Sequence, residues 1–191
     1  MKIGIIGFGS MGKTHAYSIS NLKYFYSPLN FSAEVKGICT RNIARAEALC
    51  EQYGVGKAYA DEDEMINDPE IDVIDICTPN IAHYETLKKA IKAGKHIYCE
   101  KPLCTTAAEA LEIAELAKEK NITCAVVFNT RFLLPVIRAK ELVEAGKIGD
   151  VLSFRGAFLH SSSADPNKPA GWKQNKDICG GWTSVILILI S

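Results

Sequence analysis

Apolar residues follow two rhythms along this chain, and their alternation predicts its elements. Short apolar stretches at 2–6, 31–39, 57–60, 71–78, 96–99 and 122–128 read as strands, most of them bounded by Gly, Pro or polar turns. Between them lie stretches of helical period at 15–22, 43–53, 62–67, 83–93 and 106–120. In the second of these, Ile43, Ala46, Leu49, Cys50 and Tyr53 share a stripe, with Asn42 placed to cap it and Gly54 to end it. Pro28 breaks a loop at 23–30, Pro69 stops the third helix, and Thr106 with Glu109 makes a capping box before the fifth. The run at 71–78 reads as continuously apolar, the kind of strand buried on both faces of a parallel sheet. Strands and helices alternating with short links predict an α/β fold, a doubly wound parallel sheet of Rossmann type, over residues 1–128. Beyond it the rhythm changes: a helix at 134–145, an antiparallel-like alternation at 151–160, and a polar loop at 161–176.

Composition alters little in that picture. A chain of 191 residues can bury a core and holds one domain plus part of another. Its 22 basic and 22 acidic residues cancel, so there is no electrostatic case for nucleic acid or an anionic membrane as a partner. The 7 cysteines are an odd number, form no Cys-x-x-Cys pair, and sit mostly in apolar elements. Buried free thiols in a reducing cytoplasm are therefore expected, rather than disulfides or a metal site. The chain opens on a strand rather than a signal peptide, and the apolar run at 185–190 is too short to span a bilayer.

The first candidate chemistry is the turn after the first strand, Gly7-Phe8-Gly9-Ser10-Met11-Gly12. A Gly-x-Gly-x-x-Gly turn between strand and helix is a dinucleotide-binding fingerprint. Gly7 allows the tight turn, Gly9 removes the Cβ that would block a pyrophosphate, and Gly12 lets helix and strand pack closely. The remaining polar candidates also fall after strands, where open α/β sheets bind ligands: Thr40-Arg41, Cys77-Thr78-Pro79-Asn80, Glu100-Lys101-Pro102 and Asn129-Thr130-Arg131. The second strand ends in Thr40 and Arg41 rather than a carboxylate, which favours NADP over NAD: a cation suits a 2′-phosphate.

Taken together, Gly7 to Gly12, Cys77-Thr78-Pro79-Asn80-x-x-His83, Glu100-Lys101-Pro102-Leu103 and Asn129-x-Arg131-Phe132 resemble the glucose–fructose oxidoreductase / inositol dehydrogenase family. The resemblance implies hydride transfer between a nicotinamide cofactor and a sugar, polyol or related hydroxy compound, by a protein that is a homo-oligomer at full length. It implies that Lys101 is the catalytic lysine, polarising a carbonyl or stabilising an alkoxide. Glu100 would hold the cofactor side of the cleft, and Pro102 would fix the chain direction, with a cis bond as one means. His83 at a helix start caps, packs or approaches the cofactor, and Trp172-Lys173 resembles the family's aromatic–basic pair near the nicotinamide. Residues 129–191 would then begin an incomplete α+β substrate and dimerisation domain, with strand packing as the expected role of His160.

The sequence departs from the family pattern after Gly180-Gly181, where an Asp-x-Gly-x-His helix should supply the proton-transferring histidine. Residues 182–191 contain neither Asp nor His. Tryptophan has the single codon TGG and threonine codons begin AC, so the third base of codon 182 opens a frame that begins GAC, aspartate. Continued, that frame can encode Ile-Gly-Asp-Ser-His. The expectation is a frameshifted, catalytically incomplete dehydrogenase; the alternatives are a genuine apolar strand at 185–190 and a non-catalytic dinucleotide-binding module acting as sensor or scaffold.

Overall fold

Strand β1 (Lys2–Ile6) is the centre from which the rest is paired. In the computed structural model, which describes residues 1–157, 167, 169 and 171–180, it is flanked by β2 (Glu34–Cys39) and β4 (Val73–Ile76). With β3 (Lys57–Tyr59), β5 (His96–Cys99) and β6 (Cys124–Val126) these form one six-stranded sheet of order β3-β2-β1-β4-β5-β6, every neighbouring pair parallel. Parallel neighbours need crossovers, supplied by α1 (Ser10–Phe25), α2 (Ile43–Tyr53), α3 (Glu62–Ile66), α4 (His83–Lys92) and α5 (Ala107–Glu119). Consecutive residues of β1 enter different apolar clusters, Ile5 with Ile38 and Leu49, Ile6 with Ile74, Leu87 and Ile91. That is the period-2 alternation of a strand buried on both faces.

The caps form as expected: Asn42 Oδ1 accepts from the Arg45 amide at 3.0 Å, and Thr106 and Glu109 complete their capping box. Several boundaries differ from the sequence expectation, among them both ends of β6, expected over 122–128 and formed over Cys124–Val126. Helix α1 starts at Ser10 and runs to Phe25, not over 15–22, because its first turn is the glycine turn itself. Strands β2 and β4 are shorter than their apolar runs, because register with the five-residue β1 limits them: Lys2 faces Glu34 and Ile6 faces Ile76.

The chain divides into two compact units, Met1–Val127 and Phe128–Ser191. The second contains a 3-10 turn at Asn129–Phe132, α6 (Leu134–Glu144), a 3-10 turn at Trp172–Gln174 and α7 (Lys176–Cys179). The expected loop at 161–176 thus carries a turn and a helix start within its described part. The strand expected at 151–160 is not formed over 151–157, where no ladder satisfies the backbone. Residues 158–160, including His160, and 181–191, which hold Gly181 and the atypical tail, lie outside the described residues. No described helix is long and apolar enough to cross a membrane.

Candidate active site

All strand carboxyl ends in a parallel sheet share one edge, and here the strand order reverses between β1 and β4. The glycine turn lies at that point. Gly7 has φ +90°, and a Cβ there would sit 2.7 Å from the Cys77 carbonyl oxygen at the end of β4. A Cβ on Gly12 would sit 2.3 Å from the Gly7 carbonyl oxygen, so both positions are closed to larger residues by backbone. Gly9 differs: a Cβ there meets nothing within 4 Å. It is the N-cap of α1, with no side-chain cap and no acidic residue in the first turn. Open space in front of uncapped helix amides is a cradle that fits a pyrophosphate. Ser10 and Met11 are exposed at its rim, whereas Phe8 is buried and packs on Tyr53, ring centroids 5.4 Å apart.

At the end of β2, the Thr40 hydroxyl donates to the Asn42 carbonyl at 2.8 Å. That bond holds Thr40 in the turn at the carboxyl end of β2, the position expected for a cofactor contact. The exposed Arg41 follows it.

The β4 and β5 ends are tied together. His83 is fully buried, with Nδ1 2.8 Å from the Pro102 carbonyl and Nε2 3.0 Å from the Thr78 carbonyl. Both nitrogens therefore face backbone carbonyls, and the ring joins the two loops that border the crevice. Pro79 leads into a 3-10 turn at Asn80–Ala82, with Asn80 buried. Thr78 Oγ1 is buried and has no hydrogen-bond partner among the described residues. The Lys101–Pro102 peptide is cis. Glu100 is buried, its amide donating to the Ile76 carbonyl at 2.9 Å and its Oε2 accepting from the Lys101 amide at 3.2 Å. Lys101 is partly buried, and its ammonium makes no hydrogen bond or ion pair among the described residues.

Sequence reading missed the groups beneath this edge. His15, on the first turns of α1, places Nδ1 2.9 Å from Asp75 Oδ2 and 3.3 Å from Cys77 Sγ. Its Nε2 lies 3.3 Å from Glu100 Oε1, an ion-pair approach rather than an aligned hydrogen bond. His15, Asp75 and Glu100 are all buried. Burial disfavours the imidazolium, but hydrogen bonds with Asp75 and Cys77, the approach of Glu100 and the Asp75 charge outweigh it, pushing the His15 pKa up to about 12. Burial pushes the Asp75 carboxyl up as well. Donor atoms of His15, Asp75 and Cys77 lie within 4.8 Å of one another, the one metal-like grouping among the described residues, and their contacts are those of a buried ion pair. The available signal was an aspartate inside a strand otherwise suited to two-sided burial. Asn129, Arg131 and Trp172 belong to the second unit, and the cluster described above is built without them. There the Arg131 guanidinium lies 5.9 Å from the Phe132 ring centre, and Lys173 Nζ 5.7 Å from that of Trp172.

A six-stranded parallel sheet of this order, with a glycine turn at its switch point, defines a dinucleotide-binding Rossmann unit. Residues 1–128 match the GFO/IDH/MocA oxidoreductase family with NAD-binding Rossmann fold, and the chain belongs to that family. It is 40% identical over 180 residues to levoglucosan dehydrogenase of Pseudarthrobacter phenanthrenivorans, covering 94% of this chain and 46% of that protein. It is 34% identical over 169 residues to myo-inositol 2-dehydrogenase of Thermotoga maritima, covering 88% and 47%. A solved structure of levoglucosan dehydrogenase in complex with NADH and levoglucosan is similar with TM-score 0.90 and 40% identity, covering 95% of this chain and 49% of that one. The chain thus spans about half the length of the relatives it matches.

Proposed function

We propose that this chain is the cofactor-binding part of an NAD(P)-dependent dehydrogenase acting on a sugar, polyol or related hydroxy compound. One observation carries the reading: the Gly9 cradle, the unpartnered Thr78 hydroxyl and the Glu100-Lys101-Pro102 turn all follow adjacent strands of one sheet edge. The uncapped amides of α1 would hold the pyrophosphate, and Thr78 Oγ1 the chain of the cofactor nearby. The nicotinamide, when bound, gives or takes the hydride. Lys101 places its ammonium at the substrate oxygen, where positive charge stabilises an alkoxide or polarises a carbonyl. In the second unit, Asn129, Arg131 and Trp172 are assigned to the cofactor on the family resemblance. Arg41 favours the 2′-phosphate of NADPH, while the levoglucosan dehydrogenase relative was solved with NADH. The preference proposed is therefore modest, about fivefold, the worth of one exposed charge pair. The free thiols support a reducing, cytoplasmic setting, and the full-length protein is proposed as a homo-oligomer.

The 191-residue polypeptide itself is proposed to be inactive. Residues 182–191 offer neither Asp nor His, and loss of a proton shuttle alone costs on the order of 10²–10⁴ in rate. That same observation favours the second reading, a dinucleotide-binding sensor or scaffold. Fluorescence titration of the purified chain with NADH and NADPH tests the first step, with binding expected and NADPH the tighter ligand. No binding of either sinks both readings. Turnover of a panel of polyols and anhydro sugars by the chain would contradict its inactivity. The gene separates the two readings: downstream DNA that cannot encode the Asp-x-Gly-x-His helix and a substrate sheet leaves only the sensor.

A further inference from the structure

The buried charges under the Lys101 turn form a continuous path. Asp75 on β4 accepts from His15 Nδ1 at 2.9 Å, His15 Nε2 faces Glu100 Oε1 at 3.3 Å, and Glu100 Oε2 accepts from the Lys101 amide at 3.2 Å. Three elements are joined by it: α1, which opens at the glycine cradle; β4, whose end carries Thr78; and β5, whose end carries Lys101. We propose that His15 is a positioning residue, a buried imidazolium clamped between Asp75 and Glu100 that fixes the Lys101 turn against the glycine cradle.

Two carboxylates buried side by side require a cation or a proton between them. The groups facing His15 are Asp75 and Cys77 from the β4 side, and Tyr98 and Glu100 from the β5 side. Tyr98 contributes its ring, with centroids 5.3 Å apart, and burial pushes the Cys77 thiol up to about 12, so it remains neutral. His15 is thus the only cationic group in the cluster among the described residues. With it, a cation stands between the two buried carboxyl groups while Glu100 Oε2 accepts from the Lys101 amide. Without it, no cation faces either carboxyl group, and the Asp75 carboxyl, already pushed up by burial, loses the partner that opposes that rise. This inference rests on the proposed role of Lys101, but the charge of His15 can be read independently of any cofactor.

The test is made on the whole chain. Imidazole-detected nitrogen NMR of the wild type is expected to show both His15 ring nitrogens protonated, without titration from pH 5 to 9. A bare nitrogen, or a midpoint near the ordinary histidine range, overturns the clamp. NADH titrations of wild type, His15→Gln and His15→Gln/Asp75→Asn across the same range read the positioning. Wild-type affinity should be flat with pH, whereas His15→Gln should bind roughly threefold or more weakly at pH 8.5 than at pH 6, as the Asp75 carboxyl, pushed up by burial and deprived of its partner, ionises. The double variant should be flat again. A His15→Gln chain that is merely less heat-stable, with pH-independent NADH affinity, overturns the positioning role. If the wild type binds no NADH, the cofactor reading and the positioning role that rests on it both fail, while the spectrum still decides the clamp.

Discussion

Three glycines of one fingerprint do different work, and substitution should separate them. Gly12→Ala drives a Cβ to 2.3 Å from the Gly7 carbonyl oxygen, and Gly7→Ala combines a backbone clash with φ +90°. Each should cost about 2 kcal/mol or more in urea unfolding, and binding is lost with the fold. Gly9→Ala meets no atom within 4 Å and keeps an ordinary φ of −83°, so its stability cost should stay below about 1 kcal/mol. Its NADH affinity should nevertheless fall by about tenfold, because the methyl occupies the space left for phosphate. Equal losses of stability and binding in all three variants would remove the case for a phosphate cradle. These glycines were legible in the sequence because their spacing alone states the geometry. His15 and Asp75 were not, since they are 60 residues apart and meet only once the sheet has formed. The second roles of Thr40 and His83 were also hidden, because a side chain's choice of a nearby carbonyl is fixed by turn geometry that residue type does not reveal.

Between elements, one partly exposed and one buried ionic tie set the pH range of stability. Asp68, after α3, accepts from the Lys57 ammonium and from the Tyr59 hydroxyl at 2.7 Å, both on β3, and from the Glu70 amide at 2.8 Å. The Lys57 and Tyr59 hydrogen bonds hold its carboxyl well below the usual carboxylate range. The stabilisation it gives is complete above the unfolded aspartate value near 3.9 and is lost progressively as pH falls below that value. His15 ties α1 to β4 and β5 with the opposite sign. Its folded pKa is raised, so its contribution is complete below about 6.5 and declines as pH rises toward about 12. A proton retained only by the folded state makes stability fall as pH rises through that interval. Stability should therefore be greatest between about pH 4.5 and 6.5, and Asp68→Asn should flatten the acid limb while costing about 1–3 kcal/mol at pH 6. Urea unfolding at half-unit steps of pH checks both; a maximum above pH 8 would contradict the His15 assignment. The caps of α2 and α5 could be read from sequence because each uses residues three apart. The limits of β2 and β4 could not, because β1 sets them through register.

At the scale of the whole molecule, burial is distributed unevenly. Both apolar clusters draw all their members from residues below Val127, and the described part of the second unit adds Cys179 as its buried apolar residue. Helix α6 has no buried residue, and it exposes Leu134 at 81% along with Val136, Ile137, Leu142 and Val143. Exposed leucine, valine and isoleucine on a single helix constitute a sticky surface, and separately the outer strands β3 and β6 of the sheet each have one unpaired edge within that sheet. The 191-residue chain should therefore associate in a concentration-dependent way, with α6 as the main contributor. Ile137→Glu with Val143→Glu should reduce association without lowering the thermal stability of the sheet, since neither residue belongs to its core clusters. Light scattering at concentrations from about 1 to 100 μM, where exposed apolar surface drives association, provides the measurement. A monomer at every concentration would mean that α6 is covered within the chain itself. Unchanged association in the double variant would move the sticky surface to the sheet edges, where Lys57 on β3 and the short β6 are the features that oppose pairing.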